Sequence, residues 1–203
     1  MYKAKQIKLG SISTSETELK DLIKAWAAIS LAFGILLFKS YSTSFYSAII
    51  ISSLTVGIGF LFHELGHKIV AQKYGCFAEF RSFDQMLVLA VIMSFFGFVF
   101  AAPGAVMISG PVGRRRNGKI SMAGPAVNLI LALLFLAISF FYPNGIFKVI
   151  SYYGFMINTW LALFNMIPFG NFDGKKILVW NKLVYGVMVG VAVILMFTQG
   201  VLR

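Results

Sequence analysis

Polar and apolar positions fall in long blocks along this chain rather than alternating with the period of an amphipathic helix or strand. Asp, Glu, Lys and Arg are absent from residues 25–38, 40–62, 85–113, 120–147, 149–172 and 183–202. Five of these six runs hold 20 residues or more, enough for a helix to cross a hydrocarbon layer. The run 25–38 is shorter, but the long stems of Lys20 and Lys24 let it extend backwards. Local signals sharpen the boundaries. Ser15-Glu16-Thr17-Glu18 reads as a capping box, so a helix is expected from there to about Phe38, after a polar, basic N-terminal segment over 1–14. Lys39 to Thr43 forms a short outer loop. A second helix is expected from Ser44 to about Tyr74, where Gly75 stops it. Glu79 to Asp84 reads as a polar connection, and three later spans are expected at about 121–141, 147–167 and 183–201. Gly186 and Gly190 form a GxxxG in the last, a pattern of close helix packing more than of a dimer face.

The block 85–113 is too short for two full helical spans. A helix of about 16 residues rises roughly 24 Å, and a strand of about eight residues returns a similar distance. Ala101-Ala102-Pro103-Gly104 marks the bend and Ala105–Ser109 the strand. This out-and-back reading makes 85–113 a re-entrant element, since non-helical backbone at membrane depth must be packed in protein or line a polar cavity. The alternative, one plain span, inverts everything after it.

Composition agrees with a membrane setting. Of 203 residues, 59% are hydrophobic and 12% charged, with mean hydropathy +0.83. That is about half the charged share of a soluble domain, and a soluble chain of this size lacks the interior to hide so much apolar surface. The net charge of +11 would otherwise suggest nucleic acid. Here the bases fall in alternate connecting segments, a positive-inside signature, and no basic domain remains once the spans are removed, so no nucleic-acid partner is expected. The same count puts the N-terminus on the cytoplasmic side of the cell membrane. Cys76 is the single cysteine, which excludes an intrachain disulfide, and no cleavable signal peptide is expected.

The chemistry concentrates in His63-Glu64-Leu65-Gly66-His67. The chain has only two histidines, four apart on a helix, so both project from one face. In an H-E-x-x-H arrangement the imidazoles bind zinc and the carboxylate acts as general base. A pair of core histidines is the alternative, but ionisable groups inside a membrane helix are costly and functional by default. Catalytic zinc needs a third protein ligand. Of seven acids, Glu16, Glu18 and Asp21 suit the first turns of the N-terminal helix, Glu79 and Asp84 sit in the polar connection, and Glu64 is the base. Asp173 remains. His63 near the cytoplasmic end of span two and Asp173 just past the end of another span fall at one depth, and Pro168 lets the chain fold back.

Three segments carry a resemblance: Phe62–His67; Ala123-Gly124-Pro125-Ala126-Val127-Asn128; and Asn165-x-x-Pro168 followed by Asp173-Gly174. Together they make the chain, from about residue 40 to 180, similar to the site-2 protease family of intramembrane zinc metalloproteases. The resemblance implies one Zn2+ held by His63, His67 and Asp173, with Glu64 as base and strand structure near the site. It implies a membrane-spanning protein or peptide as substrate, cut within the bilayer near its cytoplasmic face. Asn128 and Asn165 are candidates for holding substrate or its oxyanion, or for interhelical hydrogen bonds. The expected fold is an all-α polytopic membrane protein of about six membrane segments with a small membrane-embedded β element near the active site. It forms a single membrane-embedded domain, 1–203, with no appended soluble domain. The competing class, a zinc-binding membrane transporter or scaffold, leaves Glu64 without a task, and the paired repeats common in transporters are missing.

Overall fold

A computed structural model describes residues 6–10, 12–40, 43–99 and 102–199. A short antiparallel hairpin of β1 (Gln6–Leu9) and β2 (Ile12–Ser15) leads directly into helix α1 (Glu16–Ser40). Ser15 caps α1 by accepting from the Glu18 N–H at 3.2 Å. Only half of the expected capping box forms, because the Glu18 side chain turns inward. It accepts from Thr14 Oγ1 (2.7 Å), Lys68 Nζ (2.6 Å) and the Phe80 N–H (2.9 Å).

The second long helix runs over Phe45–Lys73 in three parts: α2 (Phe45–Ser52), a π-helical turn (Ser53–Gly57) and α3 (Ile58–Lys73). Ser44 caps its start. Beyond it the expected polar connection is instead a strand, β3 (Phe77–Ser82), paired antiparallel with β4 (Gly104–Ser109) from Phe77↔Ser109 to Ser82↔Gly104. The chain between them leaves the sheet as α4 (Asp84–Ser94) and returns to it. Its two ends meet where the Phe83 N–H donates to Pro103 O at 3.0 Å. Helix α4 holds 11 residues rather than about 16, because a turn through Gly97 (φ +91°) ends it early. Ala101 of the expected bend lies outside the described residues, as do residues 41–42 of the outer loop and 200–201 of the last expected span.

Three further helices follow: α5 (Arg114–Phe141), α6 (Gly145–Asn165) and α8 (Lys182–Thr198), with a short unexpected helix, α7 (Asp173–Trp180), between the last two. Helix α5 starts at Arg114 rather than near 121. Lys and Arg are good helix formers, and charge ends a membrane span without ending a helix. Among the described residues, four helices are long and apolar enough to cross a membrane: α1, Phe45–Lys73, α5 and α6. Helices α4 and α8 are apolar but shorter. Large apolar side chains such as Phe96, Phe140, Phe141 and Phe197 point outward, as lipid-facing surfaces require and a soluble surface rarely tolerates.

Two apolar clusters flank the histidine helix. Leu129, Phe155, Ile177 and Met188 tie α5, α6, α7 and α8 together. Leu22, Phe60, Phe80 and Leu87 tie α1, α3, β3 and α4. The Glu18–Lys68 pair bridges α1 and α3 in the second region and is fully enclosed.

Candidate metal centre

His63 and His67 stand one turn apart on α3, and both rings face α5. Their separation from that helix is small because residue 124 has no side chain. A Cβ there would overlap the Nε2 atoms of both rings, so Gly124 is required by close approach. Pro125 follows and lacks the N–H that would bind the Ser121 carbonyl, loosening that turn of α5. One residue earlier, the Ile120 carbonyl turns to His67 and accepts from its Nδ1 at 2.8 Å.

His63 is fixed by a side-chain relay. Its Nδ1 lies 2.6 Å from Asn128 Oδ1. The Asn128 amide nitrogen donates to Gly59 O (3.1 Å) and Asn158 Oδ1 (3.0 Å), and Asn158 Nδ2 donates to Gly154 O (2.9 Å). The two backbone carbonyls can only accept, so this chain assigns both amide orientations and leaves Asn128 Oδ1 as the acceptor for His63. Each imidazole therefore carries a proton on Nδ1 and, in its neutral form, presents a bare Nε2 lone pair.

Those lone pairs converge. The two Nε2 atoms are 3.0 Å apart, and Asp173 Oδ2 lies 3.0 Å from His67 Nε2 and 3.5 Å from His63 Nε2. All three residues are buried. Three unprotonated donors pressed together without water repel one another unless a cation sits among them. Three ligands on one zinc, with bonds of about 2.0–2.1 Å, sit roughly 3.3 Å from each other, close to the spacing found. The residues fit a zinc ion.

Asp173 arrives as the first residue of α7, after the chain leaves α6 and turns through residues 166–172. Gly174 sits directly against the Met166 carbonyl, where a Cβ has no room; this explains the Asp-Gly pair. Burial alone would raise the Asp173 carboxyl, but with their rings protonated His67 and His63 outweigh it and hold the group well below the usual carboxylate range. Lys176 Nζ lies 3.6 Å from its other oxygen, Oδ1.

The cluster opens into a cavity of about 530 Å³, within the range of small ligand sites. Glu64 lines it beside the metal ligands, its carboxyl facing the Val106 backbone of β4. Gly104, Ala105, Val106 and Ile108 of β4 form one wall. Strand β4 pairs only with β3 among the described residues, so its other edge is unpaired.

The sequence-stated candidates thus separate. His63, His67 and Asp173 come together, and Glu64 lies beside them. Asn128 is fully buried and its amide is engaged by His63, Gly59 and Asn158, the interhelical hydrogen bond of its two readings. Asn165 lines the cavity, with its Nδ2 donating to Leu161 O at 2.9 Å. Three contributors were not foreseen: Asn158, the Ile120 carbonyl and Lys176. An Asn in mid-span is itself a signal, but a backbone carbonyl carries none beyond the proline five residues on.

Fold and site define a helical protein, with several helices fit to cross a membrane, that carries a zincin-type set of candidate metal ligands. The chain is 41% identical over 177 residues to a Methanocaldococcus jannaschii protein with the provisional name zinc metalloprotease, covering 86% of this chain and 90% of that one. It is 28% identical over 138 residues to a second protein of that organism, named a zinc metalloprotease, covering 68% of this chain and 35% of that longer protein. No protein-family model matches the chain, and no solved structure matches it significantly. The chain belongs to the site-2 protease-like zinc metalloproteases.

Proposed function

We propose that this protein is an intramembrane zinc endopeptidase, binding one Zn2+ per chain and cutting membrane proteins or peptides within or near a transmembrane segment, close to the cytoplasmic face of the cell membrane. The observation that carries this reading is the composite of buried His63, His67 and Asp173 with Glu64 on a helix that is itself long and apolar enough to cross a membrane. The bilayer and a membrane-spanning substrate are then its partners.

Zinc, when bound, polarises the scissile carbonyl and makes water a nucleophile near neutral pH. Glu64 takes the proton of the attacking water and returns it to the leaving amine nitrogen. The free edge of β4 receives the substrate as an added strand, which unwinds it locally and frees the carbonyl that a helix would engage. Asn165 is an amide in the cavity wall, with its second Nδ2 hydrogen and its Oδ1 available to substrate backbone. Asn128 holds the His63 ring in its metal-binding tautomer.

Glu64→Gln tests the reading. Zinc content should match the parent, while cleavage of a single-span substrate in vesicles falls about 10²–10⁴-fold. Undiminished turnover would sink it, and zinc retained by a parent that cuts no member of a single-span panel would favour a zinc-binding transporter or scaffold.

A further inference from the structure

The mouth of the cavity carries charge that the metal centre does not use. Six of the seven acids lie before residue 85, and in that half Lys24, Lys68 and Arg81 sit on carboxylates. Beyond residue 85, Asp173 is the only acid among nine bases. Folding gathers the bases nearest the site. The start of α5 lies along α7: Gly118 packs against the Trp180 side chain, and the Arg114 guanidinium donates to Val179 O. Arg114, Arg115 and Arg116 directly precede the wall residue Asn117, and Lys175 directly precedes the wall residue Lys176. Asn117 and Lys176 belong to the cavity wall itself. Among the described residues none of Arg114, Arg115, Arg116 and Lys175 has a carboxylate partner, and the one carboxylate near Lys176 is the metal ligand Asp173.

We propose that this basic rim selects substrates with Asp or Glu in the chain flanking the scissile bond. The inference deepens the proteolytic reading and rests on it. A lipid headgroup would engage only outward-facing cations. Here Lys176 carries positive charge into the wall of the cavity that would receive the peptide. Positive-inside orientation alone asks for Lys and Arg in the connecting segments, not for their convergence on the cavity mouth without carboxylates. Each exposed pair adds little alone and is screened by salt, so two acidic residues facing this rim raise affinity about fivefold at low ionic strength. These contacts are the same in ground and transition states, so the effect falls on KM rather than kcat.

The test uses the zinc-loaded full chain in phosphatidylcholine vesicles. Three single-span substrates share one span and differ only in a two-residue flank: Asp-Asp, Asn-Asn or Lys-Lys. The expected order of kcat/KM is acidic, neutral, basic, each step about fivefold, carried by KM and shrinking at high salt. Arg115 and Lys175 are exposed and form no hydrogen bond with another group among the described residues, so the double variant Arg115→Glu/Lys175→Glu perturbs charge without packing and should reverse the order. Equal values for the three flanks, or an order unchanged in the double variant, overturn the inference. So does a rim effect that appears only when phosphatidylglycerol is added and ignores the flank, which would assign these cations to lipid. Fluorescence anisotropy of the same peptides on zinc-loaded Glu64→Gln ranks binding without cleavage; no ranking there overturns the inference whatever the protease assay gives. Failure of the parent to cut any of the three, with the binding order intact, counts against proteolysis alone.

Discussion

Asn128→Ala isolates what holds the metal-binding tautomer in place. The substitution removes the only acceptor for His63 Nδ1–H, at 2.6 Å, from a site that water does not reach. It also strands Asn158 Oδ1, which Asn128 now satisfies. Losing the partner of a ligating imidazole weakens metal binding by about 10–100-fold, or about 1.4–2.7 kcal/mol. Stability falls separately, by about 1–3 kcal/mol for each buried group left unpaired. Asn128→Asp separates the two effects. It keeps an acceptor on His63 but lacks the donor hydrogens, so zinc affinity should stay within a few-fold of the parent while thermal stability drops. Zinc affinity is read by competition with a chromophoric chelator in detergent, and stability by thermal unfolding of the zinc-free protein. Unchanged zinc affinity in the Ala variant refutes the tautomer argument, and equal losses in Ala and Asp variants refute it too, because packing alone would then explain both.

Other expectations follow from the same geometry. Gly124→Ala drives a methyl group into the two Nε2 positions, so zinc content after dialysis against chelator should fall well below the parent while helix content by circular dichroism stays close. Lys68→Met leaves the Glu18 carboxylate buried without its cation; loss of one partner of a buried pair costs about 3–5 kcal/mol, so the melting temperature should fall, with Glu18→Gln/Lys68→Met recovering most of it. The Asp173 carboxyl is held low, so its protonation should not weaken zinc binding as pH falls through the ordinary carboxylate range; zinc titrations of the parent and Asp173→Asn that lose the difference between them within that range would contradict the assignment.

The parts of the site that were legible in the sequence are those encoded locally or by scarcity. His63, Glu64 and His67 share two turns of one helix, so their spacing alone makes a site. Asp173 lies over a hundred residues away and was readable because this chain has so few acids to choose among. The long helices were readable because a span is a run of composition, which needs no partner. Strand β3 was not, since Phe77–Ser82 becomes a strand only by pairing with residues 104–109, and Glu79 and Arg81 made the segment look like a connection. They satisfy each other instead as neighbouring charges on one face of the strand. Helix α7 was hidden for a similar reason: eight residues between a turn and another helix carry too short a pattern, and the helix holds its place through Ile177 in the apolar cluster it shares with α5, α6 and α8. The Asn128–Asn158 relay joins two helices across 30 residues, and only packing reveals which mid-span amides are partners.

The π-helical turn at Ser53–Gly57 shows why motif spacing alone does not aim a site. Five residues are spent on a turn that an α-helix closes in fewer, so the face of α3 is rotated relative to that of α2. Before the turn, Ala48 and Ile51 pack toward α1 through Leu37; after it, Gly59, His63 and His67 face α5 and α6. A continuous α-helix with the same residues would point the histidines away from Asn128 and the Ile120 carbonyl. The turn is pinned by Trp26 of α1, whose indole N–H donates to Ser53 O at 3.3 Å. The tryptophan and Ser30 leave no room for a side chain at position 57, so Gly57 lets α1 press against the turn. The aim of the metal site is thus set one and a half turns upstream of it, by a contact with the first helix that no reading of His63-Glu64-Leu65-Gly66-His67 contains.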